Sequence, residues 1–221
     1  MTDQKISKRS FDAYNAFLID GELDRFTKVL ARYEFFKMIL DLPGDIVECG
    51  VFKGQGLFFW AKLIQIFNPM SPRKVVGFDT FSGVPKTVRA VKDRIGSRMH
   101  KDYDHVPQLI AKRAEELELG RRIEVVPGDA SRTIPQYIAD NPGFRLALLN
   151  LDFDVYEPTL VALEELYDRM VGGGIVMVDE YAIANWRESD AVDKFIKGRG
   201  LELKNLPWAM TPTAYFKKPL S

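Results

Sequence analysis

The stretch Gly44-Asp-Ile-Val-Glu-Cys-Gly-Val-Phe-Lys-Gly-Gln-Gly56 decides the fold. Residues 45–49 read as a short buried strand, the glycines at 50, 54 and 56 as a turn, and 54–67, with almost no polar face, as the helix that follows. In such a unit a ligand can approach the backbone closely and meet the N–H groups of a helix N-terminus. The glycine spacing is not G-x-G-x-x-G, and Glu48 lies inside the turn, where it would repel a pyrophosphate. The turn suits a cationic ligand better. Cys49 reads as a small buried strand residue, since no histidine is placed to activate it.

Outward from this unit a rhythm repeats. Upstream, Phe26, Val29, Leu30, Tyr33, Phe36 and Leu40 follow the i, i+3, i+4, i+7 spacing of one helical face, and Pro43-Gly44 ends that helix. Downstream, strands are expected at 74–78, 123–126, 146–151 and 175–178, with helices at 107–117, 131–138 and 158–170. Alternating strands and helices build a parallel sheet covered on both faces. The tail changes character: a helix at 191–197 precedes two closing strands, 201–206 and 214–217, one of them expected to run antiparallel. The reading is a single domain over 1–221, with an N-terminal helical segment of about 1–42. One long connection, about 80–106, breaks the rhythm, and connections of that length are usually lids or binding elements. It is basic: Lys86, Arg89, Lys92, Arg94, Arg98 and Lys101 stand against Asp93. A solvated amphipathic helix and a lid that holds an anionic substrate both fit it.

The 221 residues carry 31 Lys+Arg and 31 Asp+Glu, so no overall field would hold the protein on nucleic acid or an anionic membrane. With one cysteine and only His100 and His105 there is no disulfide framework and no structural zinc site, and any metal would be held by oxygen. Asp3, Lys5, Lys8 and Arg9 leave no apolar run at the N-terminus, and Lys62 and Gln65 interrupt the stretch 57–67. A soluble, cytoplasmic protein is therefore expected.

In open parallel sheets ligands bind beyond the carboxyl ends of the strands. The first strand ends at Glu48 and Gly50; the second at Asp79, where a carboxylate can accept from ribose hydroxyls. The third is followed by Gly128-Asp129-Ala130, a plausible adenine edge contact. Together these describe S-adenosylmethionine, a sulfonium nucleoside without phosphates. The fourth and fifth strands end in Leu149-Asn-Leu-Asp-Phe-Asp-Val-Tyr-Glu-Pro-Thr159 and Gly172-Gly-Gly-Ile-Val-Met-Val-Asp-Glu-Tyr181. If these strands are neighbours their tips lie roughly 5 Å apart, and Asp152, Asp179 and Glu180 converge. Three such acids repel one another unless protonated or bridged, and an all-oxygen set selects Mg²⁺ first. Acids at strand ends also cap the following helices.

The segments 44–54, 77–85, 151–159 and 172–181 resemble the macrocin O-methyltransferase family, over about residues 32–216. The resemblance implies a Rossmann-like class I methyltransferase fold: α/β, with a mostly parallel seven-stranded sheet, helices on both faces and an antiparallel C-terminal strand. It implies cofactor contacts from Glu48, Gly50, Gly54 and Gln55 in the first turn and from Asp79, Thr80, Phe81 and Ser82 in the second. Gly128, Asp129, Ala130 and Asp152 would complete them. Asp152, Asp179 and Glu180 would hold Mg²⁺, with Asp152 also the general base. The activity implied is methylation of a sugar hydroxyl, on a glycosylated or nucleotide-linked small molecule. Here Asp179-Glu180 stands where the family usually has two aspartates, Asp129-Ala130 replaces its aromatic pair, and Arg187 can reach an acidic substrate. A catechol-type O-methyltransferase and a non-catalytic cofactor-binding relative are the alternatives. The aromatic run Phe11, Tyr14, Phe17, Tyr33, Phe35 and Phe36 reads as core or as the contact of a homo-oligomer.

Overall fold

β1 (Asp45–Cys49) occupies the middle of the sheet in the computed structural model, which describes residues 7–83, 104–184 and 186–220. The basic run of the long connection, with His100, lies outside these residues. β2 (Val75–Asp79) and β4 (Leu146–Leu151) flank β1 in parallel, β3 (Ile123–Pro127) lies beyond β2, and β5 (Met170–Val178) beyond β4. β6 (Ala214–Lys217) closes the edge antiparallel to β5, giving the order β3-β2-β1-β4-β5-β6. Strand order reverses between β1 and β4, so the crevice for a ligand opens above their tips.

Among the described residues the sheet has six strands rather than seven. Residues 201–206 make one isolated bridge, Lys204 to Tyr215. Leu201 and Leu203 pack against the core while Glu202 and Lys204 pair in solvent, and Pro207 has no N–H with which to extend a ladder.

α1 (Lys8–Asp20) and α2 (Leu23–Met38) precede the sheet; α3 (Gln55–Phe67) and α4 (Val106–Glu116) follow β1 and β2; α5 (Ala130–Asp140), α6 (Tyr156–Leu166) and α7 (Glu188–Ile196) follow β3, β4 and β5. The period-2 alternation of the strands divides the core. Val47, Cys49 and Leu149 face α5, α6 and α7, whereas Ile46, Leu148 and Ile175 face Trp60 of α3 and Phe35 and Phe36 of α2. α1 buries no residue, and Phe11, Tyr14 and Ile19 on it are exposed. Of the N-terminal aromatics, Phe35 and Phe36 are core and Phe11 and Tyr14 are not; Phe17 stacks on Phe26 with ring centroids 5.7 Å apart.

Gly50 sets how closely β1 and β4 approach at their tips. Its φ is +93°, and a Cβ there would collide with the Asp152 carbonyl. Gly50→Ala therefore carries both a left-handed backbone penalty and a steric one. The expected cost is about 2–4 kcal/mol, of the size seen for large mutational effects, and a thermal melt showing no loss would contradict this packing.

Candidate functional site at the sheet's carboxyl edge

The parallel ladder runs one bond past the last residue of each strand. Gly50 N–H donates to the Phe78 carbonyl (2.9 Å), Asp152 N–H to Cys49 (2.8 Å), Asp179 N–H to Leu151 (3.0 Å) and Gly128 N–H to Asp79 (2.8 Å). Gly128, Asp79, Gly50, Asp152 and Asp179 are thereby aligned along one edge in strand order.

On the β1–β2 side the edge is mostly backbone. Gly54, at φ +86°, is the N-cap of α3, and no side chain caps that helix. Gln55, the first residue of α3, is exposed. Asp79 Oδ2 accepts from the N–H groups of Val51 and Phe52, each at 2.8 Å, and Oδ1 from Phe81 N–H at 2.8 Å. A carboxylate has about four acceptor positions, so Asp79 clamps the first turn and retains about one position for a ligand. Thr80 Oγ1 donates to the Gly83 carbonyl and accepts from Ser82 N–H at 3.3 Å, closing the second turn on itself. Asp129 Oδ1 accepts from Ser131 N–H at 3.0 Å and caps α5, with Ala130 buried as the first helical residue.

Glu48 is placed beneath the turn. A Cβ at Gly56 would collide with its carboxylate, and Arg32 of α2 lies 3.7 Å away, with its guanidinium 5.9 Å from the Trp60 ring centroid. Burial pushes the Glu48 carboxyl up to about 7 against the opposing pull of Arg32. Burial likewise raises the Cys49 thiol well above its usual range, in keeping with a structural residue.

On the β4–β5 side the acids crowd. Lys28 of α2 donates to Asp179 Oδ2 at 2.8 Å and to Asp152 Oδ2 at 3.2 Å. Burial, then repulsion from Asp152, raises the Asp179 carboxyl. Asp154, at φ +66°, is pushed up to about 8 by burial and then by Asp152, Glu180 and Asp179. Glu188, fully buried at the start of α7, holds the two loops together: Oε1 accepts from Phe153 N–H (2.8 Å) and Asp154 N–H (3.2 Å), and Oε2 from Glu180 N–H (3.0 Å). The structure thus brings Asp152 and Asp179 onto one point. Among the described residues no group of three or more acids, histidines or cysteines is placed to hold a metal ion; Glu180 follows Asp179 and is half-buried. Arg187 pairs with Asp190 at 2.9 Å and lies 4.9 Å from the Tyr156 ring centroid.

Lys28, Arg32 and Glu188 did not stand out in the sequence. Glu188 resembles any acid in a helix's first turn, and Lys28 and Arg32 lie off the apolar stripe by which α2 is recognised.

A mostly parallel sheet with an antiparallel edge strand, helices around it and acids at the tips defines the class I methyltransferase fold. The chain belongs to the macrocin O-methyltransferase (TylF) family, whose model matches residues 25–218. It is 33% identical over 153 residues to the 8-demethyl-8-(2,3-dimethoxy-alpha-L-rhamnosyl)-tetracenomycin-C 4'-O-methyltransferase of Streptomyces olivaceus, covering 67% of this chain and 57% of that protein. To the mycinamicin III 3''-O-methyltransferase of Micromonospora griseorubida it is 26% identical over 155 residues, 67% of this chain and 59% of that one. The match thus spans less than two thirds of these curated relatives. Among solved structures, the calicheamicin methyltransferase CalS11 superposes with a TM-score of 0.83 at 30% identity, covering 98% of this chain and 87% of its own. Its apo form, described as a TDP-rhamnose 3'-O-methyltransferase, gives 0.77 at 29% identity, covering 98% and 88%. No helix among the described residues is long and apolar enough to cross a membrane.

Two outcomes follow from the burial of these acids. Because the folded Glu48 carboxyl is raised from 4.5 to about 7, its contribution to stability is full below about pH 4.5 and is lost as pH rises through about 7. The thermal midpoint of the wild type should therefore fall relative to Glu48→Gln between pH 5 and 7, and parallel curves would show that Glu48 does not titrate there. Glu188→Ala leaves three N–H groups without their acceptor, at an expected cost of about 2–4 kcal/mol. That lowers Tm by about 2–4 °C per kcal/mol in a chain of this size, and an unchanged Tm would refute the clamp.

Proposed function

We propose that the protein transfers a methyl group from S-adenosylmethionine to a hydroxyl of a sugar carried on a nucleotide or a glycosylated small molecule. The observation that carries this is the placement of Asp152 at the switch point, its N–H bound to Cys49 and its carbonyl against Gly50, next to the acid-clamped glycine turn. The described relatives support the acceptor class: one is named for a rhamnosyl-tetracenomycin, one for mycinamicin III and one for TDP-rhamnose.

The cofactor fits the residues present. Asp79 keeps about one acceptor position for a ribose hydroxyl, α3 offers an N-terminus without a side-chain cap, and the nearby acids favour a sulfonium over a phosphate. When bound, S-adenosylmethionine supplies an electrophilic methyl group on a positively charged sulfur. Asp152, part-exposed above β4, is positioned to accept the proton of the acceptor hydroxyl as the C–O bond forms and the C–S bond breaks. Asp179 and Glu188 act around it, the first sharing its cation and the second fixing its loop. Asp152 and Asp179 present hard oxygens that already converge on one cation. They would be the ligands of Mg²⁺, with Glu180 as the further expected ligand, and the ion would supply Lewis acidity to the acceptor hydroxyl. The wider edge contacts expected from Thr80, Phe81, Ser82, Gly128, Asp129 and Ala130 belong to this proposal, as does a homo-oligomer covering the exposed apolar residues of α1.

Asp152→Asn tests it. Calorimetry should give S-adenosylhomocysteine binding within a few-fold of wild type, while turnover on TDP-rhamnose falls by about 10²–10⁴. Full turnover in the variant would remove Asp152 from the chemistry. A wild type that methylates catechol in preference to any sugar would replace the acceptor class.

A further inference from the structure

The acid pair on which this reading rests already holds a cation of the chain's own. Lys28 Nζ lies 2.8 Å from Asp179 Oδ2 and 3.2 Å from Asp152 Oδ2, and the lysine side chain is only 12% exposed. It comes from α2, 124 residues before Asp152 and 151 before Asp179, and so pins the N-terminal helices to the mouth of the site. Burial alone would lower the ammonium's pKa; the two carboxylates outweigh this and raise it to about 12, so it is charged at any physiological pH. The other charged groups near the pair include Arg32 from α2, Asp154 and Glu180 from the two loops, Glu188 from the start of α7, and Glu48 below.

Two closely spaced and largely buried carboxylates need a cation between them, because removing it leaves charge without a partner. One point cannot hold two. An ammonium and a divalent ion about 4 Å apart repel by several kcal/mol at the effective dielectric near a protein surface. We propose that Lys28 is a resident counter-cation, and that its ammonium and a divalent metal ion are alternative occupants of the point between Asp152 and Asp179. The inference depends on the reading of that pair as a metal-assisted methyl-transfer centre. Metal entry then requires Lys28 to withdraw, so the apparent metal affinity carries the cost of breaking both ion pairs. A released Lys28 is exposed to solvent at the mouth. The lysine keeps the two loops aligned before loading, and its exchange links α2 to the state of the site.

The full chain can be titrated calorimetrically with MnCl₂ alone, as wild type, Lys28→Met and Lys28→Arg, with thermal melts to establish folding. Lys28→Met should bind Mn²⁺ at least about tenfold tighter, the equivalent of about 1.4 kcal/mol, whereas Lys28→Arg, which keeps the charge, should remain within a few-fold of wild type. Equal or weaker binding by folded Lys28→Met, or no Mn²⁺ binding by the wild type and that variant, overturns the proposal. A second measurement needs no variant: acetylation of Lys28 in the wild type, followed by peptide mass spectrometry, should speed up several-fold when Mn²⁺ is added. An unchanged or slower rate overturns it equally. S-adenosylhomocysteine is titrated separately. Its failure to bind would sink the methyltransferase reading, whereas normal binding with no cation exchange would sink only the role of Lys28.

Discussion

Crowded negative charge at the tips of β4 and β5 is the constraint from which the rest of the site follows. Asp152, Asp154, Asp179, Glu180 and Glu188 gather where two parallel strands end, and the carboxyls of Asp154, Asp179, Glu180 and Glu188 are raised, with burial as the largest cause in each. The strands cannot separate to relieve this, because the ladder bonds from Asp152 N–H to Cys49 and from Asp179 N–H to Leu151 fix the tips in register. Burying ionised groups is costly unless they are paired or hydrogen-bonded. The molecule meets that requirement in two ways. Glu188 is surrounded by three backbone N–H groups, and Asp152 and Asp179 share one ammonium.

That solution gives the N-terminal helices a purpose beyond covering apolar surface. Lys28 and Arg32 are one turn apart on α2, at i and i+4, and so project from the same face. The first meets the acid pair and the second meets Glu48. Ala31, Phe35 and Phe36 on the same helix pack into the sheet. α2 therefore carries an apolar stripe for the core and a cationic stripe for the acidic edge. The two stripes are mutually dependent, since the lysine reaches the acids only where the phenylalanines seat the helix. α1 carries apolar residues too, Phe11, Tyr14 and Leu18 among them, but none of them is buried.

Much of this architecture was legible because it rests on local patterns. The apolar run 146–151 matches β4 residue for residue, and the glycine turn after β1 and the acids ending β1, β2, β4 and β5 lie where strand geometry requires. What escaped was long-range. Periodicity identifies the buried stripe of a helix but not which charge on its flank will meet a carboxylate 124 positions away, so Lys28 was invisible beside the other lysines. The strand expected at 201–206 failed for a related reason: its apolar residues do pack inward, yet pairing depends on a partner edge that sequence alone does not display. An acid at a strand tip is likewise ambiguous, because the same carboxylate can serve a ligand or a backbone turn. Asp129 caps α5 and Asp79 clamps the turn above β1, uses that leave the same mark in a sequence as an acid held for a ligand.

The contrast between Asp79 and Glu48 shows what the ligand-facing surface is made of. The two acids lie near the ends of adjacent strands of the same sheet, two residues apart in register, since Glu48 pairs with Gly77 and Cys49 with Phe78. Asp79 follows at the edge itself and accepts from the turn above β1, whereas Glu48 points to the face covered by α2 and α3 and lies under Gly56. A side chain at residue 56 would strike the carboxylate, so the glycine is required from below, by Glu48, rather than from above, by a ligand. The surface left at the β1 turn is then largely main chain, shaped by one acid from the side and another from beneath. The neighbouring β4–β5 tips present the reverse: side-chain charge held in place by main-chain N–H groups. A largely main-chain half beside a half rich in side-chain charge suits the proposed reaction, in which the cofactor is seated on the first while an acceptor proton is taken up on the second.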